Sequence, residues 1–332
     1  MRKKILHIGG TWNQITQLHK IADELIGFDH FFSPQYCDGL LGVFQKRGWL
    51  DFTAPGRPWV KRIQRYIRDH RLQEDEGGKA REYDLTLITT DLIVPKNILH
   101  GKVILVQEGM TDPENFLFHM VRYFPFLPHW IASSSTNGLS DAYDAFCVAS
   151  TGYRELFIRK GVKPEKIVVT GIPNFDNCMK YYDNTFPFHG YALVCTSDSR
   201  ETFKIENRKK FIRQAFEFAR GRQLIFKLHP NENIVRATKE IETYAPGALV
   251  FTQENTEEMV ANCDVLITQY SSVVYVGIAL GKEVHSYFDI EMLYRLLPLQ
   301  HASAAKNIAR VCRQFLEAES VSVPQLSLEM AS

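Results

Sequence analysis

"CDVLITQYSSVVYVGIALGKEV", residues 263–284, runs from an apolar strand through two serines into a helix and out toward the strand "EVHSYFD". The strand is near-continuously apolar and does not alternate, which is how strands read when both faces of a parallel sheet are covered by helices. Upstream the same unit recurs: "YALVCTS", a helix from about Glu206 to Arg220, "LIFKLHP", a helix from Glu232, "ALVFTQ" and a short helix after Asn255. One α/β domain accounts for this half of the chain.

The first half repeats the pattern in "KKILHIGG", "YDLTLITT", "KVILVQEG", "AFCVAS" and "KIVVTGIP". Between the halves, "NCMKYYDNTFPFHG" has neither a helical nor an alternating period and reads as a linker. The expected division is a doubly wound domain over 1–180, a second over 181–319 that ends in a helix from about His301, and a loose tail over 320–332. Length agrees, because 332 residues exceed the roughly 250–300 at which single cores stop growing. Two such domains are expected to face across a cleft, with ligands beyond the carboxyl ends of the strands.

Hydrophobic residues make up 45% of the chain and charged residues 23%, a globular composition. A net charge of +1 gives no overall electrostatic case for nucleic acid, so an anion site must be local. The six cysteines form no CxxC pair, and three lie within apolar elements, which points to reduced core thiols and a cytoplasmic setting. The amino terminus enters a strand where a signal peptide would have an apolar region, and no run reaches the roughly 18 apolar residues of a membrane span.

Candidate chemistry sits where strands end. His229 closes "LIFKL", and Pro230 removes a ladder donor and keeps His229 out of helical geometry. Its ring is expected to reach a phosphate or carboxylate, with Lys227 alternating to another direction along the strand; the competing reading is a histidine that only closes a strand. Ser271 and Ser272 are expected in the first turn of a helix, where unpaired amides and hydroxyls make an anion cradle, against plain capping. Gln107, Glu108 and Gly109 end another strand. Glu108 could act as acid or base there, Gly109 permits a turn, and a solvated turn acid is the alternative. Asp198, after "YALVCTS", is a nucleophile or an electrostatic stabiliser, or the acid of an Asx turn.

Gly9, Gly10 and Thr11 follow the first strand but match neither dinucleotide nor P-loop spacing. Asn174 and Asp176, near the linker, read as parts of a hinge, with ligand contact as the alternative. No His, Cys or acid set has metal-ligand spacing, so neither a metal nor a cofactor is expected. Residues 56–71, "GRPWVKRIQRYIRDHR", carry six Arg or Lys beside Trp59, Ile63, Tyr66 and Ile67. Such a helix lies on an acidic membrane, binds a charged acceptor, or is a solvated helix with a core-facing stripe.

The QEG of Gln107–Gly109, the HP of His229–Pro230 and the SS of Ser271–Ser272 resemble, in order and strand-end placement, the acidic-acidic-Gly, HP and Ser-Ser/Thr motifs of bacterial GT-B transferases that use CMP-activated keto sugar acids. Gln107 departs from the acidic first position. With a carboxylate at Asp198, the resemblance is nearest to retaining β-Kdo transferases; the HP and "QYSSVVY" segments also resemble CDP-glycerol glycerophosphotransferases, and the two-domain arrangement resembles UDP-GlcNAc 2-epimerases.

The resemblance implies a GT-B-like α/β fold and a nucleotide-sugar donor, CMP-Kdo favoured, with a glycan or glycolipid acceptor. It implies donor binding by His229, Pro230, Ser271, Ser272 and Lys227, and chemistry at Asp198, Glu108 and His229. Gln107, Gly109, Gly10 and Thr11 are left to the acceptor or the cleft. The alternatives are CDP-glycerol-dependent polymer synthesis and a noncatalytic nucleotide-sugar-binding protein.

Overall fold

The computed structural model describes residues 2–51, 55–124, 127–197, 200 and 206–317. The chain divides into two compact units, one holding residues through Asp176 and again from His301, the other Asn177–Gln300.

The first unit is built on strands β1 (Lys4–Gly9), β2 (Asp29–Pro34), β3 (Gln73–Glu74), β4 (Leu85–Ile88), β5 (Lys102–Val106), β6 (Ala145–Val148) and β7 (Ile167–Val169). Every pairing is parallel, in the order β3-β2-β1-β4-β5-β6-β7. β1 lies between β2 and β4, with Leu6 opposite Phe31 on one side and Thr86 on the other. Strand order reverses at β1, the switch point at which open α/β sheets take ligands.

One face of this sheet, with Ile5, Leu85, Leu87, Ile104 and Val106, packs beneath three helices. Trp12–Glu24 contributes Ile15, Leu18 and Ile21, Arg57–Asp69 contributes Ile63, Tyr66 and Ile67, and Ala304–Glu317 contributes Ile308, Phe315 and Leu316. Each large side chain buried in this way is worth about 1.5–3 kcal/mol. The last helix therefore completes the core of the first unit; the expectation that it closes the second domain is corrected. Asp176 shows how, since its carboxylate accepts from the Ala302 and Ala304 N–H groups, both at 2.7 Å, at the entry to that helix. Its role is structural.

The second unit has β8 (Ala192–Cys195), β9 (Leu224–Lys227), β10 (Leu249–Phe251), β11 (Val265–Thr268) and β12 (Glu283–His285), all parallel, in the order β10-β9-β8-β11-β12. Its switch point is at β8. Val194, Phe226, Val265 and Ile267 pack against Phe211, Ile212 and Ala215 of the helix Arg208–Ala219 and against Ala237 and Ile241 of Ile234–Tyr244. The six cysteines are buried and none is in a disulfide, and burial pushes the Cys147 thiol up to about 12. Among the described residues no helix is long and apolar enough to cross a membrane.

Candidate functional site

In the second unit the residues expected at the donor lie on one edge, the carboxyl ends of neighbouring strands β9, β8 and β11. Thr196 follows β8 and His229 follows β9. The His229 N–H donates to the Thr196 hydroxyl oxygen at 3.1 Å and to the Glu232 carboxylate at 3.0 Å, and the Thr196 hydroxyl donates to the same carboxylate. The other Glu232 oxygen accepts from Arg208 Nη2 at 2.6 Å, and Arg208 Nε also meets Glu206 at 2.8 Å. Glu232 and Arg208 are both buried, so this is a desolvated ion pair; both Glu232 oxygens accept hydrogen bonds, whereas Arg208 Nη1 has no hydrogen-bond partner among the described residues. Burial raises Glu206 above the usual carboxylate range, with Arg208 opposing.

The loop carrying His229 is thus fixed from below. The His229 ring is half-buried, and its Nδ1 accepts from the Asn231 N–H at 3.3 Å, an arrangement that places the proton of the neutral ring on Nε2. Lys227 does not share this edge's chemistry. Its buried ammonium donates to the carbonyls of Leu228 (3.3 Å) and Thr252 (3.1 Å), joining the ends of β9 and β10.

The ends of β8 and β11 are joined as well, Ser197 Oγ donating to Gln269 Oε1 at 3.1 Å. Beyond Gln269 come Tyr270, Ser271 and Ser272. The serines lie in the turn that leads into the six-residue helix Val274–Ala279, their carbonyls accepting from the Val274 and Tyr275 N–H groups, and so stand just before the first helical turn in which they were expected. The Ser271 Oγ accepts from the Val273 N–H at 3.4 Å, a hydroxyl turn. Beside them is an open cavity of about 470 Å³ lined by Glu206, Asn207, Lys210, Gln214, Gln269, Tyr270 and Tyr287. Tyr270 is exposed and stands edge-on to Tyr287 at 5.4 Å and to Phe288 at 5.2 Å. Asp198 lies outside the described residues.

In the first unit a second group forms where β1 and β5 end. Thr11 caps the helix Trp12–Glu24 in a reciprocal capping box with Gln14. Glu108 accepts from the Thr11 hydroxyl at 2.9 Å and from Gln14 Nε2 at 2.6 Å, while Gln14 Oε1 takes the Gly10 N–H at 2.6 Å. Burial raises the Glu108 carboxyl above the usual range, and the bonds from Gln14 and Thr11 oppose it. The helix backbone passes close over Gly9, where a Cβ would come within 3.1 Å of the Ile15 nitrogen.

Gln107 turns away from this group. Its side-chain amide donates to the Gly109 carbonyl at 2.7 Å and its Oε1 accepts from the Ala149 N–H at 2.8 Å, tying β5 to β6. Gly109 is absent from the positive-φ residues; what crowds it is the Phe175 ring, 3.3 Å from where a Cβ would stand. Steric room replaces the turn freedom expected of it.

Sequence reasoning missed Gln14 and Glu232. The T-x-x-Q spacing from Thr11 to Gln14 is a capping-box signal and could have shown the first. For Glu232, three residues after His229, local sequence does not separate a buried carboxylate from a solvated one.

No protein-family profile matches the chain, and no curated protein matches it in sequence. Solved structures do match in fold. S. aureus MnaA with UDP aligns over 95% of this chain and 97% of its own, with a TM-score of 0.57 and 11% identity. The UDP-GlcNAc 2-epimerase from Neisseria meningitidis, bound to UDP-GlcNAc, aligns over 94% and 100%, with a TM-score of 0.55 and 12% identity. A structure of the wall teichoic acid polymerase TagF aligns over 95% and 89%, with a TM-score of 0.54 and 11% identity. The chain has a GT-B-like fold of two Rossmann-type units.

Proposed function

We propose that the protein is a metal-independent transferase that takes a group from a cytidine-nucleotide donor and passes it to a bacterial surface glycan or glycolipid. The observation that carries this reading is the tied edge of the second unit. The Thr196 hydroxyl, which accepts from the His229 N–H, and the Ser197 hydroxyl, which donates to Gln269, tie the His229 loop and the Gln269–Ser272 loop to the end of β8. A ring N–H and two hydroxyls suit a donor phosphate without a metal ion, and they favour the transition state, where negative charge grows on that phosphate.

In the first form of the proposal the donor is CMP-Kdo and the reaction is retaining. Asp198 attacks the anomeric carbon, the carbon–oxygen bond to phosphate breaks, and its electron pair leaves with CMP. The acceptor oxygen then displaces the Asp198 carboxylate as its proton passes to Glu108. His229, Ser271 and Ser272 hold the phosphate, Pro230 shapes the loop, Lys227 braces it, and the tyrosine-lined cavity takes the transferred group. Thr11 and Gly10 stand with Glu108 on the acceptor side.

The second form is transfer from CDP-glycerol, in which a phosphorus–oxygen bond breaks and CMP again leaves. Its support is the fold likeness to TagF, one structure of which carries CDPG.

A single assay separates these. The chain is incubated with CMP-Kdo, CDP-glycerol or UDP-GlcNAc and with glycan acceptors, and products are weighed by mass spectrometry. A Kdo adduct supports the first form and a glycerol phosphate adduct the second. Turnover of UDP-GlcNAc alone, or tight donor binding without product, refutes the cytidine transferase.

A further inference from the structure

The basic segment at 56–71 has no part in the chemistry proposed above. Its helix, Arg57–Asp69, gives Ile63, Tyr66 and Ile67 to the core, so its apolar stripe is not available to lie in a membrane. The opposite face remains, and there Lys61, Arg62, Arg65 and Arg68 are exposed.

The helix just before it is built the other way. Gly39–Arg47 buries no residue, and Leu40 is 69% exposed, Val43 43% and, just past its end, Trp49 58%. Leu41 and Phe44 are partly covered, the Phe44 ring lying 4.9 Å from that of Trp49, but a helix that buries no residue fully and leaves Leu40 and Val43 in water is incomplete as a soluble element. The two helices are fastened into one surface. Gln45 Nε2 donates to the Pro55 carbonyl at 2.7 Å, and Arg57 grips Asp51 with bonds of 2.6–3.0 Å while lying against Gly48. Positive charge flanks the protruding ring, with the Arg47 guanidinium 5.7 Å from the Trp49 ring centre. On the following helix the Arg62 guanidinium lies over two further indoles, Trp12 (5.5 Å) and Trp59 (5.4 Å).

Residues 40–71 hold eight Lys or Arg against two acids, a net of +6 in a chain whose whole is +1. Asp51 and Arg57 pair with each other, which leaves that net unchanged. We infer that this face docks the amino-terminal unit on an anionic lipid bilayer. Leu40, Val43 and Trp49 enter the headgroup layer, and Lys46, Lys61, Arg62 and Arg65 meet lipid phosphates. Basic residues alone would serve any polyanion, nucleic acid included. The exposed aliphatic and indole side chains among them are what favour lipid, because a phosphate backbone has no use for a greasy tip. The inference does not depend on the transferase reading and is tested without substrate.

The test is co-sedimentation of the full chain with vesicles of phosphatidylcholine alone or mixed with phosphatidylglycerol. The chain is expected on the anionic vesicles only, and to leave them in about 1 M salt, where the Debye length is about 3 Å. Leu40→Ser with Trp49→Ser, and separately Arg62→Glu with Arg65→Glu, should each weaken binding at least about tenfold with an unchanged circular dichroism spectrum. Equal binding to neutral vesicles, or wild-type binding by either double variant, overturns the inference. So does a DNA duplex that binds as tightly as the vesicles and is indifferent to loss of Leu40 and Trp49.

Discussion

Glu108 shows how one carboxylate is given a pKa by its immediate partners. Burial disfavours its charged form and raises the pKa, while the Gln14 and Thr11 hydrogen bonds stabilise the charge and pull it down. If Glu108 receives the acceptor proton, it must be ionised to work, so activity falls as pH drops through its raised pKa. The acid limb of the kcat/KM profile is then expected above the usual glutamate range. Gln14→Ala removes a bond that lowers the pKa and should move that limb to higher pH, with kcat at the plateau reduced by about tenfold through lost positioning. A limb that Gln14→Ala leaves in place would remove Glu108 from proton transfer. The sequence showed Glu108 through its position after an apolar strand, and Thr11 and Gly10 through theirs. That Gln14 joins all three was written only as a capping spacing, and its reach to Glu108 crosses ninety-odd residues of chain. Gln107 and Lys227 read as site residues because strand ends expose side chains on average. Only packing shows that these two spend their polar atoms on backbone carbonyls and amides.

Between elements, the decisive contact is the one that ties β8, β9 and the helix Arg208–Ala219 through Glu232. Thr196, the His229 N–H and Arg208 all converge on this single buried carboxylate. Glu232→Ala leaves the Arg208 charge buried with Glu206 and the Ser197 carbonyl as partners, and is expected to cost about 3 kcal/mol, the lower end for a broken buried pair. The measurement has a built-in control. The four tryptophans, Trp12, Trp49, Trp59 and Trp130, all belong to the first unit. In urea, Glu232→Ala should therefore shift the circular dichroism transition while the tryptophan fluorescence transition stays in place; a cost below about 1 kcal/mol would show that the network does not secure the loop. The strands this network joins were legible, since β8, β9 and β11 are near-continuous apolar runs. β2 and β3 were not: Phe31 and Phe32 stand between polar neighbours and Pro34, and β3 is a two-residue edge strand with no apolar signal at all.

For the whole molecule, the two units share one chain in an unequal way, because the second is inserted into the first. The chain leaves at Asp176 and returns at His301, and the Asp176 carboxylate itself holds the returning Ala302 and Ala304 amides. Which sheet the helix Ala304–Glu317 would cover could not be read from its sequence, for its amphipathic stripe fits either domain and the choice rests on contacts hundreds of residues apart. The adjacency of the two crossing points makes excision feasible. Replacing residues 177–300 by about three glycines, enough to span roughly 10 Å, should leave a folded first unit, since the short bridge also costs less closure entropy than the loop it replaces. Native-like tryptophan emission and a urea midpoint close to that of the full chain are the expected results. Residues 177–300 alone should fold too, with an α/β circular dichroism spectrum. A chain ending at Asp176 should instead aggregate, because Ile15, Leu18, Ile21 and Ile104 then lose the cover of Ile308, Val311, Phe315 and Leu316. If that truncated chain folds as well as the bridged one, the terminal helix is an accessory and the first unit is complete without it.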